Sequence, residues 1–139
     1  MLYNSMEDVF VARLMTSELI TANPETFVED AAETLLNNHI GSIVVSSEEG
    51  AIEGILTNTD FIRIVAESKP KAKTTVERYM SDDVVTIGPQ AHIQEAADVM
   101  IEEDISHLPV VDEEDMVIGI ITKTDLTAYI SAVREPTPE

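Results

Sequence analysis

Cysteine and tryptophan are absent from this 139-residue chain, and its aromatic surface comes from three tyrosines and three phenylalanines. No disulfide framework, thiolate zinc site or cysteine nucleophile can therefore be built. Basic residues are scarce too: 8 Lys and Arg stand against 27 Asp and Glu, a formal charge of −19. So few cations cannot displace the counterions condensed on a nucleic acid, which excludes DNA and RNA as direct ligands. No apolar stretch approaches the roughly 18 uninterrupted residues of a membrane-spanning helix, and residues 1–10 carry Glu7 and Asp8 where a secretory signal carries positive charge. A cytoplasmic location without membrane association is expected. Paired histidines, a glycine-rich phosphate loop and a serine with a base beside it are also missing, so no enzyme is expected, and no metal site.

The residues that are present specify a folded body. Apolar types make up 44% of the chain against 25% charged, and Ile43-Val44-Val45, Val84-Val85 and the run from Val117 to Ile121 suffice for a buried core. The length fits one ordinary domain, or two small halves sharing a core. Three of the four lysines (Lys69, Lys71, Lys73) fall in one short stretch, leaving the rest of the surface rich in carboxylates. An acid excess spread evenly over helices and loops suits a protein that stays soluble in high salt, where screening removes its self-repulsion.

The chain repeats itself. At an offset of 65, residues 11–65 lie on 76–130 without a gap, and 16 of the 55 pairs are identical. Val11 falls on Val76, Arg13 on Arg78, Met15 on Met80, Thr21 on Thr86 and Pro24 on Pro89; Gly54 to Asp60 falls on Gly119 to Asp125. The organisation expected is an N-terminal segment (1–10), a first repeat (11–66), a linker (67–75) in which Pro70 breaks periodicity, a second repeat (76–132) and a tail (133–139).

Each repeat reads β-α-β-β-α. Leu19-Ile20-Thr21 and Val84-Val85-Thr86 predict short strands, stopped by Asn23-Pro24 and Gly88-Pro89. Thr26 and Glu29 have the spacing of a capping box before a helix that carries Val28, Ala31, Ala32, Leu35 and Leu36; Ile93, Ala96, Ala97, Met100 and Ile101 repeat the helical spacing, with Ala91 in place of the capping threonine. Strands over 42–46 and 52–56, and over 108–111 and 116–121, follow across acidic turns. A last helix opens at Asn58 or Lys123.

The duplicated Gly-apolar-apolar-Thr-x-Thr-Asp stretch sets a hydroxyl, a helix N-terminus and a carboxylate where a strand feeds a helix. Unpaired first-turn amides suit a phosphate, and a carboxylate accepts both hydroxyls of a ribose. The same residues have a plainer use: Thr57 and Thr122 cap their helices, and Asp60 and Asp125 favour the helix dipole by about 0.3–1 kcal/mol.

Taken in order, these pieces resemble a tandem pair of CBS domains, a Bateman module, over roughly residues 9–132: the Met15-Thr16-Ser17 and Met80-Ser81-Asp82 starts, His39 to Val45 and Asp104 to Asp112, and the Gly54 and Gly119 stretches. The resemblance implies a mixed α/β (α+β) fold in which two repeats pack through their sheets. It implies AMP, ATP or another adenosine derivative such as S-adenosylmethionine as ligand, no required cofactor, a homodimer, and a regulated partner protein. Combined with the acidic composition, it points to a halophilic archaeon.

Carried over position by position, it makes Asp60 and Asp125 ribose-binding and Thr57 and Thr122 phosphate-proximal. Thr21 and Ala22, with Thr86 and Ile87, stand where first-strand backbone meets adenine, flanked by Ile20 and Val85. Ser42 and His107 stand where a side chain faces the phosphates and where some relatives have arginine; neither copy has it. Lys123 and Arg63 are the cations nearest the motifs, thin support for a triphosphate. The second copy offers His107 and Lys123 against Ser42 and Asn58, so it presents more positive charge, and more still once His107 protonates near about pH 6.5. His107 is read either as a ligand contact or as a structural hydrogen-bonding residue; His39 and His92 are read as surface or partly packed. The function expected is adenine-nucleotide sensing; the alternative is a ligand-free interaction module.

Overall fold

The structure is a computed structural model that describes residues 9–67 and 73–133. Residues 1–8, most of the lysine-bearing linker and the tail from 134 lie outside the described residues. The elements run α1 (Val11–Leu14), β1 (Thr21–Ala22), α2 (Val28–Asn38), β2 (Ser42–Ser46), β3 (Ile52–Thr57), α3 (Asn58–Ala66), a 3₁₀ turn (Val76–Arg78), α4 (Ile93–Glu103), β4 (His107–Val111), β5 (Val117–Thr122) and α5 (Lys123–Ala132). It is a mixed α+β fold of two repeats, β-α-β-β-α in the first and α-β-β-α in the second.

Two compact units result. One comprises residues 20–84 with 114–117 and holds β1, α2, β2, β3 and α3. Its sheet is ordered β1-β2-β3: Thr21 and Ala22 run parallel to Val44 and Val45, and β2 runs antiparallel to β3 from Ser42–Thr57 to Ser46–Ile52, with a bulge between Val45 and Ser46. All five residues of β2 are buried, as befits an apolar central strand. Ala31 and Leu35, one turn apart on α2, meet Ile43, Val45 and Leu56, and Val76 closes the cluster from beyond the linker.

The other unit takes the described parts of 1–19, 85–113 and 118–139. Ile93, Ala96 and Met100, at helical spacing on α4, pack with Leu108, Val110 and Ile121, and Val9 and Val11 complete this core. Sequence repeat and compact unit thus differ: 11–19, 76–84 and 114–117 each belong to the unit of the other repeat. The residues leading into each repeat join the other repeat's core: Val11 N–H donates to Ala91 O and Val76 N–H to Thr26 O, both at 2.8 Å.

Three local expectations change. Thr26 does not form a capping box with Glu29; its hydroxyl oxygen accepts from Asn23 N–H at 3.1 Å, Phe27 is the N-cap, and Glu29 accepts from Lys73 N–H. On α4 it is His92 whose N–H bonds the Glu95 carboxylate, at 3.3 Å. The strand expected at 84–86 reduces to a single parallel bridge between Ile87 and Val110. Pro109 occupies the position of Val44 at the repeat offset, and without an N–H it cannot supply the next rung. His39 and Asp104, unlike in chemistry, are the left-handed C-caps of α2 and α4, each with φ 54°.

Candidate functional site

Each strand-to-helix junction is built in the same way. β3 ends on Thr57, α3 begins at the next residue, and Asp60 lies in its first turn. Asp60 Oδ2 accepts from Thr57 N–H at 2.8 Å and from the Thr57 hydroxyl at 3.3 Å. Asp125 Oδ2 does the same for Thr122, at 2.8 and 3.1 Å, and Asp125 N–H donates back to Thr122 Oγ1 at 3.2 Å. The capping use of these residues is therefore realised in both copies. It occupies one carboxylate oxygen and leaves the other for a further partner.

The sheet gathers the remaining first-repeat residues around Thr57. Ser42, 7% exposed, is its partner across β2 and β3, and Thr21 pairs two residues further along β2. In the second repeat, Lys123 N–H donates to Ser106 O at 3.0 Å and ties the head of α5 to the start of β4, where His107 stands. Asn58 N–H and Gly41 O make the equivalent bond, also at 3.0 Å. Ile87 sits beside Val110 with Thr86 preceding it, and Lys123 is exposed.

His107 is half-buried, and the loss of hydration lowers its pKa below 6.5, an effect the Asp125 carboxylate partly offsets. The protonation expected near 6.5 is thus displaced downward. At neutral pH Lys123 is then the cation that stands at the second junction, as Arg63 stands at the first.

Arg63 gains a role that the sequence reading gave it only as a nearby cation. Its Nη1 donates to Asp60 Oδ1 at 3.0 Å. The i,i+3 spacing was the available signal, and the offset of 65 puts Ala128 there in the second copy. A cavity of about 470 Å³ beside α2 and α3, lined by Leu35, Leu36, His39 and Phe61 among others, contains none of the expected binding residues. No helix among the described residues is long and apolar enough to cross a membrane.

The sequence pattern of the CBS domain matches residues 11–67 and again 76–132. The chain belongs to the CBS domain family. This CBS pair is 31% identical over 113 residues to the CBS domain-containing protein YhcV of Bacillus subtilis, covering 81% of this chain and 79% of that protein. It is 32% identical over 125 residues to a homoserine O-acetyltransferase of Methanosalsum zhilinae, covering 90% of this chain but 25% of the enzyme. It is 30% identical over 122 residues to protein MK0525 of Methanopyrus kandleri, covering 87% of this chain and 62% of that protein. The chain therefore spans less than two thirds of the length of several of its curated relatives.

Among solved structures, the CBS domain pair of protein MJ0100, crystallised with 5′-methylthioadenosine and S-adenosyl-L-methionine, is similar with a TM-score of 0.82 and 28% identity. That match covers 88% of this chain and 96% of that one. A conserved protein of Pyrococcus horikoshii gives 0.82 and 29%, covering 97% and 100%.

Proposed function

We propose that this CBS pair is a regulatory module that binds a small adenosine-containing ligand at its Thr-x-x-Asp junctions, passes the bound state to a partner protein, and performs no chemistry itself. The observation that carries this reading is the duplicated Thr–Asp box, in a chain 28% identical to a pair crystallised with two adenosine derivatives. Asp60 and Asp125 accept the ribose hydroxyls; Thr57 and Thr122 lie beside the phosphate or its substitute. The backbone at Thr21-Ala22 and Thr86-Ile87 meets adenine, and Ser42, His107 and Lys123 face the ligand's 5′ side. The repeats that carry these residues span 11–66 and 76–132.

The cation shortage narrows the ligand. Lys123 is the exposed cation at the second junction and Arg63 is engaged by Asp60, so a nucleoside with little or no negative charge, or AMP, is favoured over ATP. Signalling requires the ligand to bind one conformation of the module more tightly than another.

A homodimer is part of the proposal. Leu36 and Ile101, equivalent in the two repeats, are each 76% exposed, and Val65 and Ile130 are 69% and 51% exposed. Matched apolar positions on a highly acidic chain are suited to burial against a second copy. A cytoplasmic location goes with this reading.

Isothermal titration with AMP, ADP, ATP and S-adenosylmethionine in molar KCl tests it: saturable heat with at least one is expected. No heat with any of the four would leave the second reading, a ligand-free interaction module. The similarity to a homoserine O-acetyltransferase, most of which lies outside the matched segment, fits a module that acts on an attached partner in either reading.

A further inference from the structure

We propose that Arg63 is a built-in competitor for Asp60, so that adenosine loads the second-repeat junction ahead of the first. The proposal rests on the reading of Asp60 and Asp125 as ribose carboxylates. A ribose diol needs carboxylate lone pairs that are not already committed. Asp60 has little to offer: Oδ2 holds the Thr57 N–H and hydroxyl, and Oδ1 holds the Arg63 guanidinium at 3.0 Å. Its side chain is 12% exposed while that of Arg63 is 58% exposed, so the cation lies on the solvent side of a nearly buried acid. A ribose that places both hydroxyls on Oδ1 must first turn Arg63 away, because the guanidinium already holds one of that oxygen's two lone pairs.

Asp125 makes the same bonds to Thr122 through Oδ2, but the residue one turn on is Ala128, and Oδ1 has no hydrogen-bond or ion-pair partner among the described residues. Asp125 is also more exposed than Asp60. The two repeats, alike in fold and in motif, are thus unequal at the atom a ribose would use. Because an i,i+3 pair with an exposed partner is a weak interaction, the competition is worth up to about fivefold in affinity. Arg63 orders the filling of the two sites and does not close the first.

The test is calorimetric titration with adenosine, which has no phosphate to draw Arg63, Lys123 or His107, at the lowest KCl concentration that keeps the fold intact by circular dichroism. Four proteins are compared: wild type, Arg63→Ala, Ala128→Arg and the double exchange. Both positions are exposed, so the substitutions spare the core. The wild type should show a tight and a weak site. Arg63→Ala should tighten the weak site about three- to fivefold and leave the tight one alone. Ala128→Arg should weaken the tight site to a similar degree, and the double exchange should reverse the order. Adenosine binding with unchanged constants in Arg63→Ala and Ala128→Arg overturns the competitor role and leaves the adenosine reading standing. Weaker binding in Arg63→Ala overturns it as well, by making Arg63 a ligand contact. Adenosine that binds none of the four proteins overturns the ribose reading and the inference together.

Discussion

Met80 lies so close over Gly54 that a Cβ on the glycine would stand 2.5 Å from the Met80 sulfur and 2.9 Å from the Ser81 carbonyl oxygen. Gly119 stands in the same relation to Met15 (2.6 Å) and to the Thr16 carbonyl (3.0 Å). The segment leading into one repeat crosses the β3 or β5 strand of the other at this point, with Ile55 bridged to Ser81 and Ile120 to Thr16. Glycine is what allows backbone to approach backbone so closely, one residue before those bridges.

A methyl group at these glycines should therefore destabilise. The thioether can swing aside, but Ser81 O is held by Ile55 N–H at 3.0 Å and cannot. Gly54→Ala and Gly119→Ala are each expected to cost about 1–3 kcal/mol in chemical denaturation. Gly88→Ala, with nothing within 4 Å of the added carbon, should stay within about 0.5 kcal/mol or stabilise slightly. Unfolding curves for Gly54→Ala and Gly88→Ala that coincide would contradict the close approach.

His107 should make stability depend on pH. Burial lowers its pKa in the folded state, while in the unfolded chain it titrates near 6.5. Between the lowered folded value and 6.5 the unfolded state holds more protons, so the contribution of His107 is complete above 6.5 and is lost as pH falls through that window. The urea midpoint should drop more steeply between about pH 7.5 and 5.5 in the wild type than in His107→Ser, which carries the residue the first copy has at Ser42. Parallel pH profiles for the two proteins would show that burial of His107 is not the cause.

Apolar periodicity made most of the fold legible. The run Ile43-Val44-Val45 and the helical spacing of Ala31 and Leu35, or of Ala96 and Met100, are local signals, and β2 to β5, α2 and α4 follow them. What the sequence hides is non-local. Val11 and Val76 look like the starts of their own repeats, yet each is buried in the other repeat's core, a pairing that no local pattern encodes. The Thr26–Glu29 spacing misled because Asn23 N–H engages the threonine hydroxyl first. At the junctions the Thr–Asp boxes were readable from spacing. The inequality between them depends on Arg63 facing Asp60 and Ala128 following Asp125, a difference that a repeat alignment passes over as one more unmatched pair.

Salt should strengthen the fold. With 27 acidic and 8 basic residues, repulsive pairs far outnumber attractive ones, so screening removes more than it costs. At about 1 M salt the Debye length shrinks to about 3 Å, shorter than the spacing of most surface carboxylates. The thermal midpoint is expected to climb from about 0.1 M to about 1 M KCl at neutral pH, and a flat or falling midpoint would remove the salt-adapted reading of the surface.

Asp125 serves two purposes, and two substitutions separate them. Its Oδ2 accepts the Thr122 N–H and hydroxyl, so Asp125→Ala removes the capping box, a loss of about 0.5–2 kcal/mol in folding by analogy with other cap deletions, beyond the dipole effect expected from sequence. Asp125→Asn keeps a carbonyl oxygen for the Thr122 N–H, removes the charge and puts an amide NH2 donor in the place of the free acceptor Oδ1. A ribose hydroxyl bonded to a carboxylate is worth about 1.5–3 kcal/mol, so the asparagine variant should bind AMP at least about tenfold more weakly at the second junction while unfolding close to the wild type. The alanine variant should lose both affinity and stability. An asparagine variant that binds AMP as well as the wild type, at the junction where Ala128→Arg acts, would confine Asp125 to the helix cap.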